Sequence, residues 1–353
     1  MKSQLLLSFI VIVLVVRWLR RWLPFSSLLS SKHSTDDLKH MTPYPAQPIK
    51  GRKRYHVMMD VRKLDQRNWL TIDRNYMEEH QVRNDLLETE REKVIQCLPE
   101  SQEACKEALE EVVTFLCERY PNMFEKKERE GKVTVFNKKT GERFHFGDTT
   151  DEMEPLEIAV RLTMEDLSIL MKNENDEYYL AASATLFPVG WSVDQRIGWT
   201  VSQLHGPVPL WQQQVANSVS KFLARLTPHS PMERSNYFIE VRRPNEDLFS
   251  TLFRPDGLSE ENNQLRPHDI IIRRERQTFR RLPRSGALVF GVKTTLTALD
   301  ELPTQELENL AKEIESWPED VGKYKGRDIW GAKALEFCRQ RAGMSVGQTV
   351  EVC

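Results

Sequence analysis

The sequence predicts an α+β fold, an antiparallel sheet of about five strands with its helices inserted on one side. Short apolar or alternating runs recur at 167–171, 178–186, 235–242, 269–281 and 287–299, each bounded by turn-forming residues. The second and third runs are separated by a histidine-bearing turn and a stretch of helical periodicity, so the chain must leave the sheet there and return. Helical segments stand before the first run and after the last, and they would pack around this core.

At 353 residues the chain is long enough for one large domain or two ordinary ones. Residues 5–16 are continuously apolar and lead into Arg17, Trp18, Arg20, Arg21 and Trp22. That order predicts an uncleaved membrane anchor over 1–25, with the arginines snorkelling and the tryptophans at the interface. Positive charge after the segment puts the body on the cytosolic side, as on the endoplasmic reticulum, with a mitochondrial presequence as the alternative. Residues 26–54, rich in Ser, Pro and Lys, read as a tether. A helical region with a hairpin is then expected over 55–150, the sheet core over 151–300, and C-terminal helices over 301–353.

Residues 60–76 read as irregular with a short helix, and 84–98 as a helix. The stretch 101–119 is a clearer helix, with Ala104, Ala108, Val112 and Leu116 on one face, Ser101 to cap it, and Tyr120-Pro121 to end it. Val133 and Val135, then Phe144 and Phe146, alternate about Lys138-Lys139-Thr140-Gly141 and predict a hairpin over 132–147. Pro155 stands where a first helical turn tolerates it, and Leu156, Ala159, Val160, Thr163 and Leu167 give that helix an inward stripe. Glu165 and Asp166, near its end, read as surface carboxylates. The first two strand runs flank an Asn173-Glu174-Asn175-Asp176 turn, and 210–226 reads as one helix. A polar connection over 243–267 leads to the last two strands, which join across Pro283-Arg284-Ser285-Gly286. The tail, 304–342, is helical.

Lys and Arg number 50 against 52 Asp and Glu, so no global field favours nucleic acid, which is excluded as a partner. The five cysteines show no zinc or ferredoxin spacing, which argues against an iron–sulfur cluster in this chain and for a reducing compartment. Two features hold the chemical interest. His205 precedes Gly206 and Pro207, which cannot continue a helix, so its ring sits at an element end, suited to ligation or to capping. Along 271–281, alternation puts Arg273, Glu275, Gln277 and Phe279 on one face and Arg274, Arg276, Thr278 and Arg280 on the other. A strand buries several arginines only beside anions, either protein carboxylates or those of a ligand such as the propionates of haem.

These residues form a pattern. Leu186-Phe187-Pro188 with Trp191, Ile197-Gly198, Leu204-His205 with Pro207-Val208, and Arg274 with Arg276-Gln277-Thr278, Arg280-Arg281-Leu282-Pro283 and Gly286 resemble the haem-dependent oxidative N-demethylase family. Leu64-Asp65 with Trp69, Arg119-Tyr120-Pro121 with Phe124, Pro155-Leu156 with Glu165-Asp166-Leu167, and Trp317-Pro318 with Tyr324-Lys325-Gly326 agree in order, so the resemblance spans roughly residues 55 to 330. It departs at Gly206, where the family pattern has Ala, and at Val189, where it has a polar residue.

The resemblance implies a haem-binding PAS-like fold, with haem b held through its iron by His205. It implies Arg273 and Arg274 as further cofactor contacts, and Arg276, Gln277 and Trp191 as catalytic residues. It implies oxygen-dependent oxidation of an amine with release of formaldehyde, fed by a separate electron-donating reductase. The rival readings are a gas sensor of the same fold, which holds haem without turnover, and a haem-free protein in which His205 caps a turn.

Overall fold

The computed structural model describes residues 38–147, 153–257 and 265–343. Its centre is an antiparallel sheet whose strands, in chain order, are β1 (Arg62–Lys63), β2 (Ile95–Cys97), β6 (Glu165–Lys172), β7 (Tyr178–Ala184), β8 (Met232–Val241), β9 (Ile270–Arg281) and β10 (Leu288–Ala298). Across the sheet they run β1-β8-β9-β10-β6-β7-β2. A smaller sheet holds β3 (Phe124–Arg129), β4 (Lys132–Asn137) and β5 (Arg143–Phe146).

The five central strands, β7-β6-β10-β9-β8, make the fold PAS-like: two strands, a helical crossing, then three strands that return beside the first. The expected five-strand sheet is therefore present and is extended at each end by a short strand from the N-terminal region. The long pair β9 and β10 turns at Gly286, whose φ of +71° suits glycine, while Leu282 N–H donates to Ala287 O. Phe279 then lies opposite Phe290, with ring centroids 5.0 Å apart.

On one face of the sheet pack α1 (Tyr76–Thr89), α2 (Gln102–Arg119) and α3 (Pro155–Leu162), which bury Leu109, Val112, Leu116 and Leu156. A second core joins Ile239, Ile270 and Ile272 to α5 (Thr304–Ser316) and α6 (Arg327–Ala342). A third, smaller one gathers Leu170, Tyr178, Leu180 and Leu288 against α4 (Ala216–Arg225). The predicted helix over 210–226 is in fact two pieces, Trp211–Gln214 and α4, which meet at Val215.

Several expectations change. The membrane anchor and the membrane-bound location drawn from it find no support: among the described residues no helix is long and apolar enough to cross a membrane. The apolar run that suggested them lies outside the described residues. The described part of the expected tether, 38–54, is laid against the body. Ile49 is buried there, its N–H donates to Glu306 Oε1 at 3.1 Å, and its carbonyl accepts from Asn309.

Residues 84–98 do not form one helix, because α1 begins at Tyr76 and Ile95–Cys97 adds to the edge of β7 as β2. Ser101 does not cap α2 with its side chain, since its hydroxyl donates to Leu98 O instead. The helix from Pro155 stops at Leu162, so Glu165 and Asp166 open β6 in the interior. There Glu165 accepts from Thr71, and Asp166 receives Arg83 at 2.9 Å. In the 243–267 connection, residues 258–264 lie outside the described residues.

The central sheet is also tight. A Cβ added at Gly291 in β10 would stand 2.7 Å from the Thr278 hydroxyl of β9, a buried group with no hydrogen-bond partner among the described residues. We expect Gly291→Ala to cost about 1–3 kcal/mol, read from the urea midpoint.

Candidate active site

A cavity of about 750 Å³ is bounded by the sheet, the chain that crosses from β7 to β8, the N-terminal stretch 44–62 and the segment that carries Tyr324 and Lys325, within the roughly 300–1,000 Å³ of small-molecule and cofactor sites. Register decides which side chains reach its floor. Across β8, β9 and β10, Arg234 stands opposite Gln277 and Gln277 opposite Val292, while Asn236 and Thr294 flank Glu275. Phe279 on the same face meets Phe222 of α4, with centroids 5.3 Å apart, so this face looks toward the crossing chain.

His205 comes from that chain. Thr200 and Gln203 form a reciprocal capping box that fixes the helical turn Val201–Leu204, and His205 ends it. The ring stacks on Trp211 at 4.8 Å, and Nδ1 lies 2.8 Å from Val201 O. A carbonyl can only accept, so Nδ1 carries the hydrogen, and Nε2 keeps its lone pair with no hydrogen-bond partner among the described residues. Burial, with the charges of Arg234 and Arg196 adding to it, pushes the imidazole pKa below the usual histidine value, which keeps the ring neutral.

The walls are mainly apolar and aromatic, with a few charges. Glu275 lies deep, and burial raises its pKa although Arg273 partly offsets this; it accepts from Gln277 Nε2 at 2.9 Å. The guanidinium of Arg196 sits 5.1 Å from the Trp191 ring. Lys325 projects among Tyr237, Phe238 and Trp317, 5.2–5.4 Å from the ring centres, and burial lowers its pKa to about 8.

Of the residues singled out from the sequence, Trp191, His205, Arg274, Arg276 and Gln277 all line the cavity. Of the β9 set, Arg273 and Gln277 share the face turned to the crossing chain, and of these two Gln277 lines the cavity. Arg274 and Arg276 point from the opposite face, and each already has an anion: Arg274 binds Glu306 at 2.8 Å, and Arg276 binds Glu233 at 2.7 Å while lying over the Tyr44 ring. Arg273 is fully buried and donates to the carbonyls of Phe187 and Leu252, with Glu240 at 3.4 Å. It ties two crossing loops to the sheet and does not border the cavity. A protein carboxylate stands beside each of the three, the first of the two partner sets the sequence left open, although the buried Nε of Arg273 has no hydrogen-bond partner among the described residues.

Sequence reasoning missed Arg234, Glu275 and Lys325. Arg234 fell one residue before the expected start of its strand, and the alternation that places Gln277 on this face places Glu275 there too. The described residues hold no group of three or more His, Cys, Asp or Glu able to cage a metal ion, and the imidazoles that line the cavity are those of His205 and His56. With this geometry in view, the comparison with known families is specific. Residues 60–335 match the model of the family described as haem-dependent oxidative N-demethylase, alpha subunit-like, and the chain belongs to that family.

Proposed function

We propose that this member of the family binds haem through His205 and oxidises an N-methylated amine in the cavity beside it, with electrons from a separate reductase and oxygen as the oxidant. One observation carries the reading: a neutral imidazole, with its hydrogen held on Nδ1 and no hydrogen-bond partner for Nε2 among the described residues, lines a cofactor-sized cavity. The surroundings suit that group, since apolar and aromatic walls match a porphyrin and buried unpaired cations match its acidic side chains. When bound, haem supplies the iron chemistry that activates oxygen for oxidation of the amine.

The chain's own residues do the rest. The Val201 carbonyl holds the Nδ1 hydrogen and so sets the tautomer and the ring's orientation. Trp211 covers one face of the ring and excludes water from it. Gln277 spends an N–H on Glu275, which leaves its carbonyl oxygen, with the Glu275 carboxyl, to accept from an amine N–H. Trp191, stacked under Arg196, shapes the wall. Arg274 and Arg276 hold the sheet to the N-terminal region and to α5 and take no part at the amine.

The test is direct. The full chain, reconstituted with haem and reduced, should release formaldehyde from an N-methylated secondary amine in the presence of oxygen. A haem-loaded protein that takes up oxygen reversibly and ignores every amine offered would overturn the enzyme reading in favour of a sensor.

A pH dependence follows from the site. Protons compete with iron for Nε2, and the His205 pKa is depressed. Haem affinity should therefore be flat through neutral pH and fall as pH drops below the ordinary histidine value near 6.5. Below the shifted pKa the loss should approach about tenfold per pH unit, followed by absorbance titration.

A further inference from the structure

Three cations at the cavity have no carboxylate partner among the described residues: Arg196, which packs on the Trp191 and Trp199 rings, and the more deeply buried Arg234 and Lys325. The Nε of Arg234 is buried without a hydrogen-bond partner, and no ion pair to its guanidinium exists among the described residues. Burial lowers its pKa, and the acids that oppose this, Glu275 and Asp60, are engaged elsewhere: Glu275 with Gln277 and Arg273, Asp60 with Lys50 and Arg52. Lys325 has three aromatic rings around it and no carboxylate within ion-pair distance among the described residues. Of the acids that act on it, Glu313 accepts from the Arg52 N–H at 3.1 Å and Glu275 from Gln277. Arg234 depresses Lys325 in turn, so the two charges stand within electrostatic reach of each other. Arg234 also acts on His205, so all three share one region of the cavity.

Buried unpaired cations raise the energy of a fold, and they persist where a ligand brings the missing charge. We propose that Arg234 and Lys325 bind the carboxylates of a ligand in this cavity, the two propionates of haem. The inference rests on the haem reading above and adds to it the residues that hold the porphyrin's acidic edge. These are not the β9 arginines that the sequence suggested, because Glu306, Glu233 and Glu240 already balance those. The same carboxylate chemistry could instead come from the substrate, an N-methyl amino acid, and the experiment separates the two.

The full chain and its Arg234→Leu, Lys325→Met and Arg234→Lys variants are titrated with haem, followed at the Soret band, and melted with and without haem. Each charge-removing variant should lose about tenfold or more in haem affinity, and Arg234→Lys should recover part of it. Without haem, the same two variants should melt no lower than the parent, because each sheds an uncompensated charge; misfolding would show as an early melt. Haem dimethyl ester, which lacks both carboxylates, should bind the parent and variants alike.

If haem affinity holds but N-methylglycine no longer perturbs the Soret band of the variants, the pair serves a substrate carboxylate. If the parent binds haem and neither property changes in the variants, the proposal is wrong. If the parent does not bind haem, the haem reading falls and the propionate assignment falls with it.

Discussion

His205→Ala should remove the Soret band from reconstituted protein, or shift it to the position of weakly held haem, while leaving the fold intact. The imidazole lies at the end of a one-turn helix whose capping box is formed by Thr200 and Gln203, so its loss deletes the iron ligand without touching what holds the turn. Its other contacts are the Val201 carbonyl and the Trp211 ring, and neither crosses to the sheet. The stability cost should therefore stay near 1 kcal/mol. The affinity for haem should fall by several orders of magnitude; His56 also lines the cavity, and His56→Ala, as the control, should keep the band. Imidazole added to the variant should restore part of the band. An unchanged spectrum in His205→Ala would sink the assignment of the ligand.

Lys293→Met should cost about 3–5 kcal/mol, the largest stability effect expected from a single side chain here. Lys293 projects from β10 between the sheet and α1, with Nζ 2.9 Å from each oxygen of Glu79 and 3.7 Å from Asp73. Its charge also acts on Glu165. Burial pushes Glu79 up to about 7 even with the lysine in place. Removing the cation leaves a cluster of buried carboxylates facing one another.

The sign of the pH effect follows from that shift. A carboxyl whose folded-state pKa is raised takes up protons on folding, so stability falls as pH climbs from about 4.5 toward 7. In the variant the deficit should shrink toward pH 5 and grow toward pH 8. Pairing it with Glu79→Gln should return much of the loss, and a double mutant no better than Lys293→Met alone would show that the cluster is not coupled.

The strands of the core were legible because their signals are local. Alternation in 271–281 and the turn at Gly286 place β9 and β10 to within a residue, and Pro155 marks the start of α3. What escaped was set by distant partners. Asp166 is interior because Arg83 reaches it from α1, and Ile95–Cys97 is a strand because β7 has an edge to extend, and neither fact has any periodicity to betray it.

The site shows the same division. His205 was visible from Gly206 and Pro207 alone. The arginines of β9 were visible as a puzzle of charge, but the acids that answer it lie elsewhere in the chain, Glu233 and Glu240 on β8 and Glu306 on α5. With those bonds unknown, the buried guanidiniums looked free for a ligand. One cation left without an acid among the described residues, Arg234, sits one strand over.

The outer edge of β7 is spoken for along most of its length. β2 pairs with Ala182 and Ala184, while Leu180 N–H donates to Trp199 O and its carbonyl accepts from Gly198. Main-chain groups that are already matched cannot template a foreign strand, so that rim is closed to β-addition. An electron-donating protein arriving there would have to recognise a surface of side chains, and its grip would answer to salt and to point substitution rather than to the geometry of a ladder.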